Sequence, residues 1–167
     1  MYHYAKSAGL NPELEKPGLL QPRPTLGGLA EDGSRPSNPE ARRPADVFLP
    51  RWRRGTPLAL DFAVTSGLRD VQACIREPTS ATTSYEDFKR GHLNTERLCA
   101  EDGHSFCPMV MEAVGGSWGP AATKIFTEPA KAKSWLTGES VDLLLAQLHQ
   151  NLGTIIRLEN AKSIIKR

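Results

Sequence analysis

The sequence has no apolar run approaching the roughly 20 residues a spanning helix needs, so nothing in it reads as a membrane segment. It has only three cysteines in 167 residues, a small and odd number that excludes a disulfide scaffold and fits a reducing compartment. It has little net charge. Lys and Arg number 21 against 19 Asp and Glu, and the resulting +2 is too small for a protein that holds a polyanion by bulk charge alone. No secretory signal is visible, because Met1 to Leu10 is polar and lacks an apolar centre. The letters Gly-x-Ser-x-Gly occur at 115–119, but they are read as a turn and not as the elbow of a serine hydrolase. Gly115-Gly-Ser-Trp-Gly119 lacks the Lys-Ser/Thr of a phosphate loop and reads as a turn. What is present suits one domain of ordinary size: 39% of the residues are hydrophobic, a lean share that still builds a core at this length.

Proline divides the chain. Nine of the 13 prolines fall within the first 58 residues. The reading has three parts: 1–20, a truncated N-terminal helix and first strand; 21–43, a flexible Pro/Gly-rich loop; and 44–167, the core with its C-terminal helices. Tyr2 to Leu10 looks like the tail of a helix that stops at Gly9 and Pro12. Val47-Phe48-Leu49 and Leu58 to Thr65 read as two strands of a hairpin, joined by the basic turn Arg51-Trp-Arg-Arg-Gly55. Ser66 to Thr83 is an irregular link. Thr83 and Glu86 match a capping box, so a helix is expected from near Ser84, with Tyr85, Phe88, His92, Thr95 and Cys99 as its buried stripe. Gly91 weakens it and Gly103 ends it. Phe106 to Val114 is a strand, Pro120 opens the next helix, and Pro129 is expected to kink or end it. The strongest helix is the last. Ser140 caps it, and Val141, Leu144, Leu145, Leu148, Leu152, Ile155 and Ile156 share one face.

Asp46 and Asp61 are the centre of the functional reading. The midpoint between them falls inside the turn, so a hairpin closed there sets them opposite each other on one face, while Val47, Leu49, Leu60, Phe62 and Val64 point to the buried side. Facing carboxylates repel. Arg42 or Arg43 would relieve that as an ion pair, and a divalent cation would do so better, since Mg²⁺ takes one or two carboxylates with water and phosphate. The alternative is that one aspartate belongs to the turn and the register is off by one. Lys89 is either a solvated helix lysine or a cation that orients a water or steadies a phosphate. Glu15 and Glu112 are candidates for further ligands or bases, though a lone Glu such as Glu112 after an apolar strand is more often a strand-end surface residue.

Together, RRPADVFLP, LALDFAVTS, the helix bearing Lys89 and FCPMVMEAVGG resemble the restriction-endonuclease-like domain of the PD-(D/E)XK nuclease superfamily, in the version that accompanies reverse transcriptase in non-LTR retrotransposons. The resemblance spans about residues 10 to 165. It implies an α/β fold, with a mixed sheet of about four strands flanked by helices and a long C-terminal helix. It implies Mg²⁺- or Mn²⁺-dependent hydrolysis of DNA phosphodiesters. Asp46 and Asp61 take the places of the two acids, with Glu15 as a further metal ligand. The family's strand lysine would fall at position 63, where this chain has Ala63; Lys89 matches the alternative helix position. A reverse transcriptase partner and a nuclear location follow from the same resemblance.

Resolved along the chain, the near-neutral charge is uneven. Arg42 to Arg54 carries five arginines (Arg42, Arg43, Arg51, Arg53, Arg54) against one aspartate, and this stretch suits contact with DNA phosphates. Trp52 within it either wedges against DNA or covers the core. Two other readings compete. His92, Cys99, His104 and Cys107 lie within 16 residues and raise a zinc module, in a spacing that fits no known pattern. A catalytically inactive remnant that binds nucleic acid or serves as an interaction domain is favoured by Ala63.

Overall fold

The computed structural model describes residues 1–20, 25–26, 29–30, 45–69, 71–77, 79–113 and 116–165. Most of the proline-rich loop, with Arg42 and Arg43, lies outside the described residues. The chain opens with α1 (Tyr2–Ser7) and β1 (Glu13–Leu14). Two short strands, β2 (Thr25–Leu26) and β3 (Leu29–Ala30), pair with each other. Then come β4 (Val47–Leu49), β5 (Leu58–Thr65), α2 (Val71–Arg76), α3 (Ser80–Gly91), α4 (Thr95–Glu101), β6 (Ser105–Glu112), α5 (Pro120–Thr137) and α6 (Val141–Ile165).

The main sheet has four strands in the order β1-β4-β5-β6. β1 and β5 run antiparallel to β4, and β6 runs parallel to β5. A parallel neighbour needs a crossover, and helices α2 to α4 supply it. The hairpin pairs Val47 with Leu60, Phe48 with Ala59 and Leu49 with Leu58. Pro108 sits inside β6, an outer strand of the sheet, where its missing N–H interrupts no ladder on the far side.

The hairpin was expected to bury one side. Both sides are covered. Val47, Leu49, Leu58, Leu60 and Met109 pack against Ala5 of α1, Phe126 of α5 and Leu148 of α6. On the other face Phe48, Ala59 and Phe106 pack against Cys99 of α4 and against Leu19, Leu20 and Ala45. All three residues of β4 are buried as a result. The first half of β5 is buried likewise, and alternation fails as a guide there because no face is left to water.

Four local expectations need correction. The link after β5 contains α2. Helix α3 starts at Ser80 and not near Ser84, and the Thr83–Glu86 box does not form: Thr83 N–H donates to Thr79 O. Its inward residues are Thr82 and Glu86, whereas Phe88 of the expected stripe is 53% exposed. Tyr85 is partly covered and His92 is exposed. The helix also breaks before α4, where Leu93 and Asn94 take left-handed φ values of 54° and 55°. Of the two outcomes expected at Pro129, a kink or an end, the helix does not end: α5 runs on to Thr137. Proline removes an N–H and crowds the preceding turn. Here Pro129 is buried beside Phe126 and Ala130 on the face that meets the sheet, and that burial outweighs the local defect.

Helix α6 starts as expected, with Leu143 N–H donating to Ser140 Oγ at 3.2 Å. Leu144 and Leu148 are buried, while Ile155 and Leu158 near its far end are half exposed. No helix of the described residues is long and apolar enough to cross a membrane.

Candidate functional site

The site lies where β4 and β5 leave their ladder. The last pair is Val47–Leu60, and Asp46 and Asp61 follow it on each strand, one step beyond the ladder and not a cross-strand pair within it. Asp46 N–H donates to Leu60 O at 2.9 Å. Asp46 Oδ2 accepts from Phe62 N–H at 2.6 Å, so its side chain takes over where backbone pairing stops.

Lys89, from the second half of α3, reaches the sheet. Its Nζ lies 2.6 Å from Asp61 Oδ2, with both side chains 22% exposed. Burial raises the Asp61 carboxyl above its ordinary value; Lys89 pulls it back down, the Asp46 charge pushes it up, and His92 lowers it. The pair of aspartates is therefore felt electrostatically across the strands, with the ammonium of Lys89 as the main offset.

Glu15 reaches this row through its backbone. The β1–β4 pairing ends at Leu14–Val47, and Glu15 N–H donates to Asp46 O at 3.0 Å. Glu15 takes a left-handed φ of 42°. No set of three His, Cys, Asp or Glu side chains converges as a metal site among the described residues. Glu112 stands elsewhere: it is buried at the end of β6 and its Oε1 accepts from Gly67 N–H at 3.1 Å, holding the turn after β5.

The arginines of the hairpin turn sit at the other end of the strands. Leu49 and Leu58 close the ladder there, and Asp61 lies three residues along from Leu58, about 10 Å at the rise of an extended strand. Arg51 and Arg54 are exposed. Arg53 Nη2 is 2.8 Å from Glu128 Oε1 on α5, and Lys131 Nζ is 3.3 Å from the same oxygen. Trp52 is partly buried and packs on the core, as the core-cover reading expected.

The zinc grouping does not assemble. Cys107 belongs to the core on one face of the sheet and Cys99 to the core on the other. Burial pushes the Cys107 thiol up to about 12, far from the thiolate a metal needs.

Glu86 was expected to cap its own helix with Thr83, and its actual role was missed. Only 4% exposed, it accepts from Ala121 N–H at 3.2 Å and so caps the first turn of α5 from a different helix. Gly119 makes room for it, since a Cβ there would overlap the Glu86 carboxylate. Only the Gly119-Pro120 start was a local signal; a partner 35 residues upstream gives none. Comparison of the chain with protein-family models, with curated proteins and with solved structures returned no match.

Proposed function

We propose that this protein is a metal-dependent phosphodiesterase of the restriction-endonuclease-like kind, acting on DNA, with Asp46, Asp61 and Lys89 as its working residues. The observation that carries the reading is the Lys89–Asp61 contact of 2.6 Å beside Asp46. A chain that lacks a lysine two residues after its second acid has one delivered to that acid from a helix. The order of elements agrees with the reading: a helix, three antiparallel strands, a helical crossover and a parallel fourth strand, with the two acids where the second and third strands emerge.

The donor set fits a hard cation. Two carboxylates on adjoining strands, one of them drawn partly out of water, match the one or two carboxylates that Mg²⁺ or Mn²⁺ takes from protein, with water and phosphate filling the rest. Asp46 and Asp61 would hold the ion, which supplies Lewis acidity toward the phosphate and a more acidic bound water. Asp46 is fixed for this by the Phe62 N–H. Lys89 is placed to hold a phosphate oxygen or an attacking water and to counter charge that builds up on phosphorus. The reading assigns no site role to Glu15 beyond its backbone bond to Asp46.

Supercoiled plasmid is the substrate of choice for the test. Nicking in Mg²⁺ or Mn²⁺ is expected, with loss of roughly 100-fold or more in Asp61→Asn and a comparable loss in Lys89→Met. Intact plasmid across both metals with wild-type protein would overturn it. A second reading, an inactive nucleic-acid-binding domain, is favoured by one observation: the described residues bring together no third ligand. It predicts oligonucleotide binding without nicking.

A further inference from the structure

We propose that the hairpin turn and the outer stripe of α5 form one docking strip for single-stranded nucleic acid, with Trp135 as its stacking platform. The strip rests on the nucleic-acid part of the proposed function and not on cutting. It involves none of the residues at the acid pair.

On α5, Lys124, Glu128, Lys131 and Trp135 recur at intervals of four, three and four residues, which places them along one face. The turn lies against that face. Arg51, Arg53, Lys131 and Trp135 line a cleft of about 320 Å³. Arg53 and Lys124 line a second cleft of about 490 Å³. Trp52 and Arg53 line both, so the two clefts adjoin. From Lys124 to Trp135 the helix advances about 16 Å, the reach of several phosphates.

Charge and aromatic surface together select the occupant. The strip presents four cations, and the acid on the stripe is Glu128, already held by Arg53 and Lys131 through one oxygen. Glu86, which lines the second cleft, accepts from Ala121 N–H. Trp135 is 90% exposed. An indole kept in water at the end of a cationic row offers a base a stacking face while the row takes the backbone. A duplex has no unpaired base to offer it, and an acidic peptide would use the cations and ignore the indole.

The test is anisotropy of fluorescein-labelled oligo(dT), with EDTA present so that nothing is cut. Wild-type protein is expected to bind with an affinity that falls steeply with salt. Glu128→Gln releases two cations and is expected to tighten binding about threefold or more, steepening the log–log salt slope by about 0.7 per added phosphate contact. Trp135→Ala is expected to weaken oligo(dT) about tenfold and to change a duplex of equal length less than twofold. Both positions are on the surface, and unchanged circular dichroism excludes misfolding. Unchanged affinity and slope in Glu128→Gln overturns the strip, and so does an equal loss on single strand and duplex in Trp135→Ala. Displacement of the oligonucleotide by polyglutamate at equal charge points to an acidic protein partner and also overturns it. If the strip behaves as stated and no variant or wild-type protein nicks plasmid, cutting fails and the strip stands. Nicking without strip dependence gives the reverse.

Discussion

Replacing Lys89 with methionine removes the ammonium that faces Asp61 while keeping most of the aliphatic stem. Exposed ion pairs contribute about 0.2–1 kcal/mol, whereas breaking a fully buried pair costs about 3–5 kcal/mol because the remaining charge is stranded. Both side chains here are 22% exposed, nearer the buried case but still open to water. An intermediate loss of about 2 kcal/mol at neutral pH follows, or roughly 4–8 °C in Tm for a domain of this size. The pH dependence gives the sign. Burial already raises the folded-state carboxyl of Asp61. A raised carboxyl contributes stability that is fully present below its unfolded value of roughly 3.9 and is lost as pH rises through the folded value. Without Lys89 the carboxyl rises further, so the loss on deprotonation is larger. The gap between Lys89→Met and wild type is therefore expected to be widest at neutral pH and to shrink toward about pH 3, as Asp61 takes up its proton in both. Urea titrations of the two proteins at both pH values measure the gap directly. In an Asp61→Asn background the lysine substitution is expected to cost less than about 0.5 kcal/mol, because the amide leaves no charge to strand. A gap that persists unchanged in acid, or an undiminished cost in the Asn background, would refute the pairing argument.

Two other outcomes follow from packing. Gly119→Ala is expected to destabilise by about 2–3 kcal/mol, because its Cβ meets the buried Glu86 carboxylate, and Glu86→Ala in the same chain should recover part of that loss in thermal unfolding. Of the three thiols, Cys74 is partly exposed while Cys99 and Cys107 are buried, so a thiol reagent at about pH 8 is expected to label one site quickly and the other two only after denaturation. Rapid labelling of Cys107 in the native state would contradict the burial that pushes it up to about 12.

The parts of this fold that were legible in the sequence are those where one local signal has no competitor. The link from Leu49 to Leu58 is short and basic, so the two apolar runs beside it pair, and counting outward from the turn brings Asp46 and Asp61 to matching positions. Ser140 before a sustained apolar face sets the start of α6. What could not be read was the coverage of the sheet. Whether Phe48 and Ala59 face water depends on Cys99, Leu19 and Leu20, residues far off in the chain that supply the second layer. The bond from Ala121 N–H to Glu86 was illegible for the same reason. The Lys89 contact was half legible: a lysine on the crossover helix was in view, but the expected stripe turned Phe88 inward, and it is Lys89 that meets the sheet.

That reversal is itself informative. On α3 the row that faces the body of the protein is Thr82, Glu86 and Lys89, and the row that faces water holds Phe88, with ring contacts to Tyr85 at 5.5 Å and to His92 at 5.0 Å. An amphipathic helix docked by apolar burial alone would have the opposite arrangement. Each inward polar group has a specific partner: Thr82 Oγ1 donates to Thr79 O, Glu86 accepts from the first turn of α5, and Lys89 pairs with Asp61. Two of these partners, the first turn of α5 and Asp61, lie outside α3, and they place it in rotation and register more narrowly than apolar contact would, because a slip of one residue along the helix breaks both. The sheet side shows the same bias. Ala63, two residues beyond Asp61 and on its face of β5, ends at its Cβ and supplies no cationic side chain; the helix supplies one in Lys89. A sequence that gives up the burial of Phe88 to bring Lys89 onto a partly desolvated aspartate departs from the ordinary pattern where a working site would require it. That departure ties the inverted helix to the acid pair more closely than either feature does alone.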